Sequence, residues 1–112
     1  MRILRYFRLS GGEEPYWEWL DALGDRNTRA RILARIDRLE EGNFGDHRFV
    51  GEGVVELRMD FGPGYRIYCG QDGPVIILLL CGGDKSTQDA DINKAKGYWR
   101  IYRTGGRTRE KG

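Results

Sequence analysis

Apolar and polar residues alternate along the middle of the chain, which is typical of strands that bury one face. The alternation covers residues 54–61 and resumes over residues 65–69, and the segment Gly-Pro-Gly at positions 62–64 separates the two runs. The pattern therefore predicts an antiparallel hairpin with a glycine-rich turn. Residues 74–81 are apolar at nearly every position, which indicates a further strand that is covered on both faces.

The N-terminal part of the chain has helical spacing instead, after an opening strand predicted at residues 2–9. Apolar residues recur every three or four positions, which predicts one helix from Glu13 to Gly24 and a second helix from Asp25 to Gly42. Asp25 is suited to cap the second helix at its N-terminus. Helices joined by so short a link pack as a pair, so we expect an N-terminal helical hairpin.

A third helix is predicted from Ser86 to Lys96, because the residues at its start resemble a capping box. The fold class is therefore α+β, with the N-terminal helical hairpin packed on a small, mainly antiparallel four-stranded sheet, followed by the C-terminal helix. Residues 1–96 form one predicted domain, and residues 97–112 form a basic tail. Three aromatic residues of this tail either stack on nucleic-acid bases or clamp the tail to the domain; they are Tyr98, Trp99 and Tyr102.

Composition narrows the class of protein. Charged residues make up 32% of the 112 residues and the net charge is +2, which is ordinary for a soluble domain. No apolar run approaches the roughly 20 residues that span a bilayer, and residues 1–9 lack a signal-peptide core, so we expect a cytoplasmic location and no membrane partner. Cys69, Cys81 and the lone histidine, His47, lack metal-ligand spacing. We therefore expect neither a metal nor a cofactor.

The hairpin gathers cations on one face of the predicted sheet. If its apolar positions all point into the core, the polar residues between them share the opposite face. These residues include Glu56, Arg58, Arg66 and Tyr68. The following strand returns toward the turn and so delivers Lys85 to the same region. Arginine matches phosphate oxygens in a bidentate way, so the cluster predicts a site for a phosphodiester.

Such a site suits cleavage of RNA by its own 2′-hydroxyl, which needs no metal ion. Arg58, Arg66 and Lys85 would stabilise the charge that develops on the phosphorane. Glu56 is the candidate general base, and Lys85 is a candidate general acid or a further cation. The alternative is purely structural, because surface arginines often pair with nearby carboxylates and contribute less than about 1 kcal/mol.

Further polar residues offer RNA contacts around this cluster. Arg48 and His47 lie in a polar loop before the hairpin, and Tyr68 shares the face of the two arginines. All three are candidate RNA-binding residues, although a lone loop histidine is more often solvated than catalytic. A stripe of arginines on the second helix indicates either a solvated face or a contact with a partner or ribosomal RNA; it consists of Arg31, Arg35 and Arg38.

Seven short segments together resemble one group of proteins. They are Trp19-Leu20, Arg29-Ala30-Arg31-Ile32, Gly42-Asn43-Phe44-Gly45-Asp46, Val50-Gly51-Glu52-Gly53-Val54, Glu56-Leu57-Arg58, Tyr65-Arg66-Ile67-Tyr68 and Gly82-Gly83-Asp84-Lys85-Ser86-Thr87-Gln88. In this order they resemble a phage-derived addiction-module killer protein, which is similar to the HigB-like branch of the RelE/ParE toxin superfamily. The resemblance spans residues 15–96.

The resemblance implies a RelE-like fold and a toxin that a cognate antitoxin, typically a helix-turn-helix protein, holds inactive. RelE-like members cleave messenger RNA on the translating ribosome, so mRNA and the ribosome are implied partners. By position, Arg58 matches the basic residue of the second strand and Arg66 matches the arginine of the Tyr-Arg motif. Lys85 matches the basic residue after the fourth strand, and Arg48 matches a frequently basic loop position.

One departure from that family leaves the proton chemistry open. Several RelE-type toxins carry a catalytic Tyr or His near the C-terminus, and this chain has no histidine there. Two alternatives to an endoribonuclease therefore stay open. The chain could be a non-enzymatic, ParE-like inhibitor of DNA gyrase, or an inactive prophage remnant that still binds its antitoxin.

Overall fold

Six strands form one mixed sheet in the computed structural model of the protein, which describes residues 1–111. In chain order the strands are β1 (Ile3–Arg8), β2 (His47–Gly51), β3 (Val54–Arg58), β4 (Tyr65–Asp72), β5 (Ile76–Asp84) and β6 (Arg107–Glu110). Across the sheet the order is β2-β3-β4-β5-β1-β6. The β1–β5 pair is parallel, and the other neighbouring pairs are antiparallel.

The described residues also form three α-helices, which cover both faces of the sheet. They are α1 (Pro15–Ala22), α2 (Arg26–Glu40) and α3 (Gln88–Arg103). Pro15 opens α1, where no intrahelical donor is needed, and the predicted cap Asp25 accepts a hydrogen bond from the Asn27 backbone at the start of α2. Within residues 1–111, no helix has the length and apolar character to cross a membrane.

Each face of the sheet has its own core. The core between the sheet and helices α1 and α2 includes the buried side chains of Tyr16, Leu20, Ile36, Leu57, Ile67 and Leu79. The core between the sheet and α3 includes those of Phe7, Val54, Tyr68, Leu80 and Trp99. Neighbouring residues of β5 contribute to opposite cores, which confirms the prediction of a strand covered on both faces. Cys69 and Cys81 are buried free thiols, and burial raises the pKa of each to about 12.

The α+β class is confirmed, but the predicted four-stranded, mainly antiparallel sheet is wrong in detail. β2 lies where the sequence predicts a polar loop, because four of its five residues are exposed at the sheet edge and show no apolar alternation. β6 contains no apolar residue and is a strand because it pairs with β1. Tertiary pairing therefore adds one strand at each edge of the sheet.

The two N-terminal helices also differ in detail from the predicted hairpin. α1 packs chiefly on β5 and makes further contacts with β1. Both α1 and α2 contribute side chains to the same core against the sheet. The sheet is therefore the main support of α1, rather than the neighbouring helix.

The segment expected as a basic tail, residues 97–112, is built into the fold over most of its length. α3 continues to Arg103 instead of ending at Lys96. β6 then runs antiparallel to β1, and Gly112 lies outside the described residues. A polar helix end and a polar strand show no apolar period of their own, so their sequence resembles that of a tail.

The aromatic residues of this segment favour the clamp interpretation. Trp99 is only 6% exposed and packs on the sheet, stacked against Tyr102 with ring centroids 5.4 Å apart. The Tyr102 hydroxyl donates a hydrogen bond to Asp72 at 2.5 Å. Gly70 makes room for the indole, because a Cβ there would lie 2.3 Å from Trp99 Cζ3. α3 is therefore held against β4 by a ring that fits only above a glycine.

Replacing Gly70 by alanine tests this fit. We expect Gly70→Ala to lower the free energy of unfolding by about 1–3 kcal/mol, because the added methyl group overpacks the contact with Trp99. Urea denaturation followed by tryptophan fluorescence measures the change.

The matched control is Gly97→Ala in α3, where an added Cβ meets no atom within 4 Å. Since alanine is the better helix former, Gly97→Ala is expected to raise the stability by up to about 1 kcal/mol. Equal effects of the two substitutions would contradict the proposed fit.

Candidate functional site

The β3–β4 hairpin has the register that the alternating pattern predicts. Arg58 lies opposite Arg66, and Glu56 lies opposite Tyr68. Leu57 is buried in the core under α1 and α2, on the other side of the strand. The four polar residues therefore share the opposite face of the sheet, because side chains alternate along a strand.

The third cation reaches this face through β5. Asp84, the last residue of β5, is opposite Tyr65, so Lys85 emerges beside the β3–β4 turn. A Cβ built on Gly64 would lie 3.4 Å from Lys85 Cβ and 3.5 Å from Arg66 Nη1. Gly64 itself has a φ of 80°, a left-handed conformation that favours glycine. The turn thus places Lys85 and Arg66 on either side of one small glycine.

The centre of the site is a buried carboxylate. Glu56 has no exposed surface. Its Oε1 accepts a hydrogen bond from Arg48 Nε at 2.8 Å, and its Oε2 accepts bonds from the Tyr68 hydroxyl at 3.0 Å and from Gln88 Nε2 at 2.9 Å. Arg66 Nε lies 4.0 Å from the same Oε1. One carboxylate therefore ties together β2, β3, β4 and the start of α3.

These contacts keep Glu56 ionised. Burial by itself raises the pKa of this carboxyl, but the hydrogen bonds from Arg48, Gln88 and Tyr68 outweigh burial and leave the pKa below its ordinary value. A carboxylate with a lowered pKa and three donors already in place is a weak proton acceptor. The predicted role of Glu56 as general base therefore does not fit this arrangement, whereas a role in positioning the arginines does.

Tyr68 is likewise internal to the site. The ring is buried in the core under α3. Burial and the nearby Glu56 carboxylate both raise the pKa of the hydroxyl, which acts as a hydrogen-bond donor. In this arrangement the ring offers no surface to an RNA strand, so the predicted RNA contact does not fit and Tyr68 instead supports Glu56.

Arg48 and His47 are separated by the geometry of β2. Arg48 lies opposite Glu56 and shares the cationic face, with half of its side chain exposed. His47 lies opposite Leu57 and so points to the other side of the sheet. The His47 Nδ1 atom is 2.8 Å from the backbone carbonyl oxygen of Gly45. The structure therefore brings Arg48 into the site and leaves His47 outside it.

Gln88 is the residue of the candidate site that the sequence pattern does not indicate. The segment around it predicts a capping box, and the observed box is instead formed by Asp84 and Thr87. The Gln88 side chain is free to reach Glu56, which is 32 residues away in sequence. No local pattern links two residues at that separation, so only the packing of α3 on the sheet identifies the contact.

The chemistry of the site rests on fixed positive charge. Arg66 is only 4% exposed, whereas Lys85 is exposed at the surface. Arg48 and Arg66 share the single carboxylate of Glu56, which cannot neutralise both. Within residues 1–111, no group of three or more His, Cys, Asp or Glu side chains is placed to hold a metal ion. The arrangement can bind a phosphate and stabilise additional negative charge on it.

Removing the buried carboxylate should destabilise the protein in a pH-dependent way. Glu56→Gln is expected to lower the free energy of unfolding by about 1–3 kcal/mol near neutral pH, because hydrogen bonds to a charged group are lost. The pKa of Glu56 is lower in the folded than in the unfolded state, so its stabilising effect is complete above the ordinary value of 4.5 and declines as the pH falls through the folded pKa. Urea titrations of both proteins from neutral to acidic pH measure this difference.

The control for this experiment is Glu52→Gln. Glu52 also pairs with an arginine, Arg100 at 2.9 Å, but both side chains are largely exposed. Its loss should have a clearly smaller effect, since exposed pairs contribute little. A Glu56→Gln difference that grows toward acidic pH would contradict the lowered pKa.

Comparison with known proteins places this site within a family. Residues 18–99 match the family described as phage derived protein Gp49-like (DUF891). A Haemophilus influenzae protein, described only as an uncharacterized protein, is 54% identical over 78 residues, which is 70% of this chain and 79% of the relative. No solved structure matches the chain. The matched range includes the residues of the site: Arg48, Glu56, Arg58, Arg66, Tyr68, Lys85 and Gln88. The protein therefore belongs to the Gp49-like family of phage-derived proteins.

Proposed function

We propose that the protein is the toxin of a toxin–antitoxin pair and that it cleaves messenger RNA on the ribosome without a metal ion. Membership of the Gp49-like family is compatible with a toxin. The observation that carries the proposal is that Arg58, Arg66 and Lys85 lie close together beside the β3–β4 turn. Three cations at one end of the sheet, of which only Arg66 lies within 4.0 Å of a carboxylate oxygen of residues 1–111, favour an anionic ligand.

In the proposed reaction, the scissile phosphate lies against Arg66 and Lys85. The 2′-hydroxyl of the preceding ribose gives its proton to solvent water, and its oxygen attacks phosphorus. The bond to the 5′-oxygen of the next nucleotide breaks, which leaves a 2′,3′-cyclic phosphate and a 5′-hydroxyl. The phosphorane that forms carries more negative charge than the phosphodiester, so preorganised guanidinium groups stabilise it. Lys85 is exposed beside Arg66 and is the candidate donor of a proton to the leaving oxygen.

Glu56 has a supporting role in this proposal. Its contact with Arg48 and its closeness to Arg66 hold both guanidinium groups in place before RNA binds. Groups that are oriented in advance stabilise charge without reorganising during the reaction. The arginines supply charge stabilisation, and Glu56 is engaged in holding them. The ribosome therefore has to align the 2′-hydroxyl and the scissile phosphate of the message for in-line attack.

The partners follow from the same proposal. The ribosome and mRNA are the targets, which corresponds to a cytoplasmic location. A cognate antitoxin, proposed to be a helix-turn-helix protein, would keep the toxin inactive. The HigB-like branch of the RelE/ParE superfamily is the proposed relationship at the finer level, on the basis of the segments quoted above.

Primer extension on a translated message tests the cleavage step. Expression of the wild-type protein is expected to produce cuts in ribosome-bound mRNA, and Lys85→Ala or Arg66→Ala is expected to reduce the rate of cutting by about 10²–10³-fold. Lys85 is exposed, so its loss leaves the fold intact even if Arg66→Ala, at a buried position, weakens it. Lys94→Ala removes an exposed lysine of α3 and serves as the control.

Three results would replace the proposal. Unchanged cleavage in both site variants would show that these cations do not act on RNA. Toxicity with intact mRNA and accumulation of cleaved DNA–gyrase complexes would indicate a ParE-like gyrase inhibitor. Normal growth, together with formation of the antitoxin complex, would indicate an inactive remnant.

A further inference from the structure

A second group of arginines lines a cleft beside the same hairpin. The cleft has a volume of about 400 Å³ and lies between α2 and the β3–β4 connection. Its lining includes four arginines, two aspartates and an aromatic ring: Arg31, Arg35, Arg38, Arg58, Asp46, Asp60 and Phe61. The arginine stripe of α2 is therefore one wall of a concave surface rather than an evenly solvated helix face.

Arg35 gives this wall a built-in positive charge. Its side chain is only 6% exposed. The guanidinium donates hydrogen bonds to three backbone carbonyl oxygens, those of Arg58 at 2.8 Å, Phe44 at 2.6 Å and Asp46 at 2.7 Å. Its Nε atom is buried and has no partner within residues 1–111. Burial, followed by the charge of Arg38, lowers the pKa of Arg35, and the nearby Asp46 carboxylate partly offsets this shift.

The other arginines of the cleft are also held without carboxylate partners. The Arg31 guanidinium carbon lies 3.7 Å from the centre of the Phe61 ring, a cation–π contact that orients it. Arg58 Nε is buried and has no hydrogen-bond partner in the described part of the chain. Among residues 1–111, no ion pair within 4.0 Å includes an arginine of the cleft. The arginines that do form such pairs are others, including Arg48, Arg66, Arg100 and Arg109. The three arginines of α2 thus outnumber the two aspartates of the lining, and the cleft keeps a net positive charge.

Arg58 connects the cleft to the candidate site. Its backbone carbonyl oxygen accepts the Arg35 hydrogen bond at the wall of the cleft, and its side chain lies on the cationic face as the cross-strand neighbour of Arg66. A single RNA strand carries a negative charge at every nucleotide, so a strand with one phosphate at Arg66 and Lys85 presents the next phosphates to neighbouring cations. Grooves that follow such a backbone with positive charge are the usual way to bind single strands. The continuity through Arg58 favours RNA over an acidic peptide as the occupant.

We propose that this cleft is a second phosphate-binding subsite, which holds the RNA backbone next to the phosphate that is cleaved. The inference rests on the proposed action on RNA. Arg31 and Arg38 contact the flanking phosphates, and Arg35 fixes the wall between α2 and β3. The subsite adds affinity that is independent of base sequence, because phosphate contacts position the strand without reading it.

The salt dependence of RNA binding tests the subsite. Binding of single-stranded oligouridylate is measured at several salt concentrations for the wild-type protein and for the double variant Arg31→Gln/Arg38→Gln. Each lost phosphate contact lowers the slope of log K against log salt by about 0.7 for a single strand. We therefore expect a shallower slope, by about 0.7 for each of the two positions that contacts phosphate, and weaker binding at low salt.

The matched control is Arg26→Gln/Arg29→Gln, which removes the same charge from the same helix outside the cleft. Arg31 and Arg38 are both exposed, so the cleft variant should fold, and thermal unfolding checks this. Equal slopes for the two double variants would overturn the subsite. A second result would also overturn it: polyglutamate binds at the cleft, and Arg31→Gln/Arg38→Gln leaves RNA binding unchanged. The occupant would then be an acidic peptide.

The two proposals fail in distinguishable ways. Failure of the wild-type protein to bind oligouridylate overturns the subsite, whereas primer extension with Lys85→Ala decides the cleavage reaction. A shallower slope for the cleft variant, together with unchanged cleavage by Lys85→Ala, would support the subsite and reject the proposed cleavage site.

Discussion

The buried carboxylate of Glu56 is the interaction on which the cationic face depends. A charged group without exposed surface is unfavourable unless its oxygens are satisfied, and here Arg48, Tyr68 and Gln88 all donate to it. The same carboxylate is the nearest counter-charge to Arg66. Since its partners come from two neighbouring strands and from α3, the network forms only when sheet and helix are assembled together. Positioning of the cations is thus coupled to folding.

Arg35 has a similar connecting role on the other side of the hairpin, but without a carboxylate. Its guanidinium joins α2 to the carbonyl groups before β2 and at the end of β3. Backbone carbonyls satisfy the hydrogen bonds without neutralising the charge. The two arrangements therefore differ in local net charge. Glu56 offsets part of the positive charge near Arg66, whereas the wall around Arg35 stays positive. Arg58 lies between them and extends the positive surface from one to the other.

Several parts of the fold could be predicted because they depend on residues close in sequence. The alternation around the Gly-Pro-Gly turn predicts the register that places Arg58 opposite Arg66, since a slip of one residue would expose the apolar set. The apolar run of β5 correctly indicates burial on both faces. The edge strands β2 and β6 could not be predicted in this way. Their residues are mostly exposed, and they are strands because of the partner that each one meets.

The same distinction between local and long-range contacts applies to the candidate site. By itself, the sequence determined which side chains share a face of the hairpin and that Lys85 follows the strand returning to its turn, because strand parity and chain direction are local properties. Only the tertiary structure decided which of those side chains remain accessible. Packing of α3 buries Tyr68 and brings Gln88 to Glu56, and packing of α2 encloses Arg35. Burial and long-range hydrogen bonds depend on residues far apart in the chain, and these contacts engage the predicted general base, Glu56, with three donors.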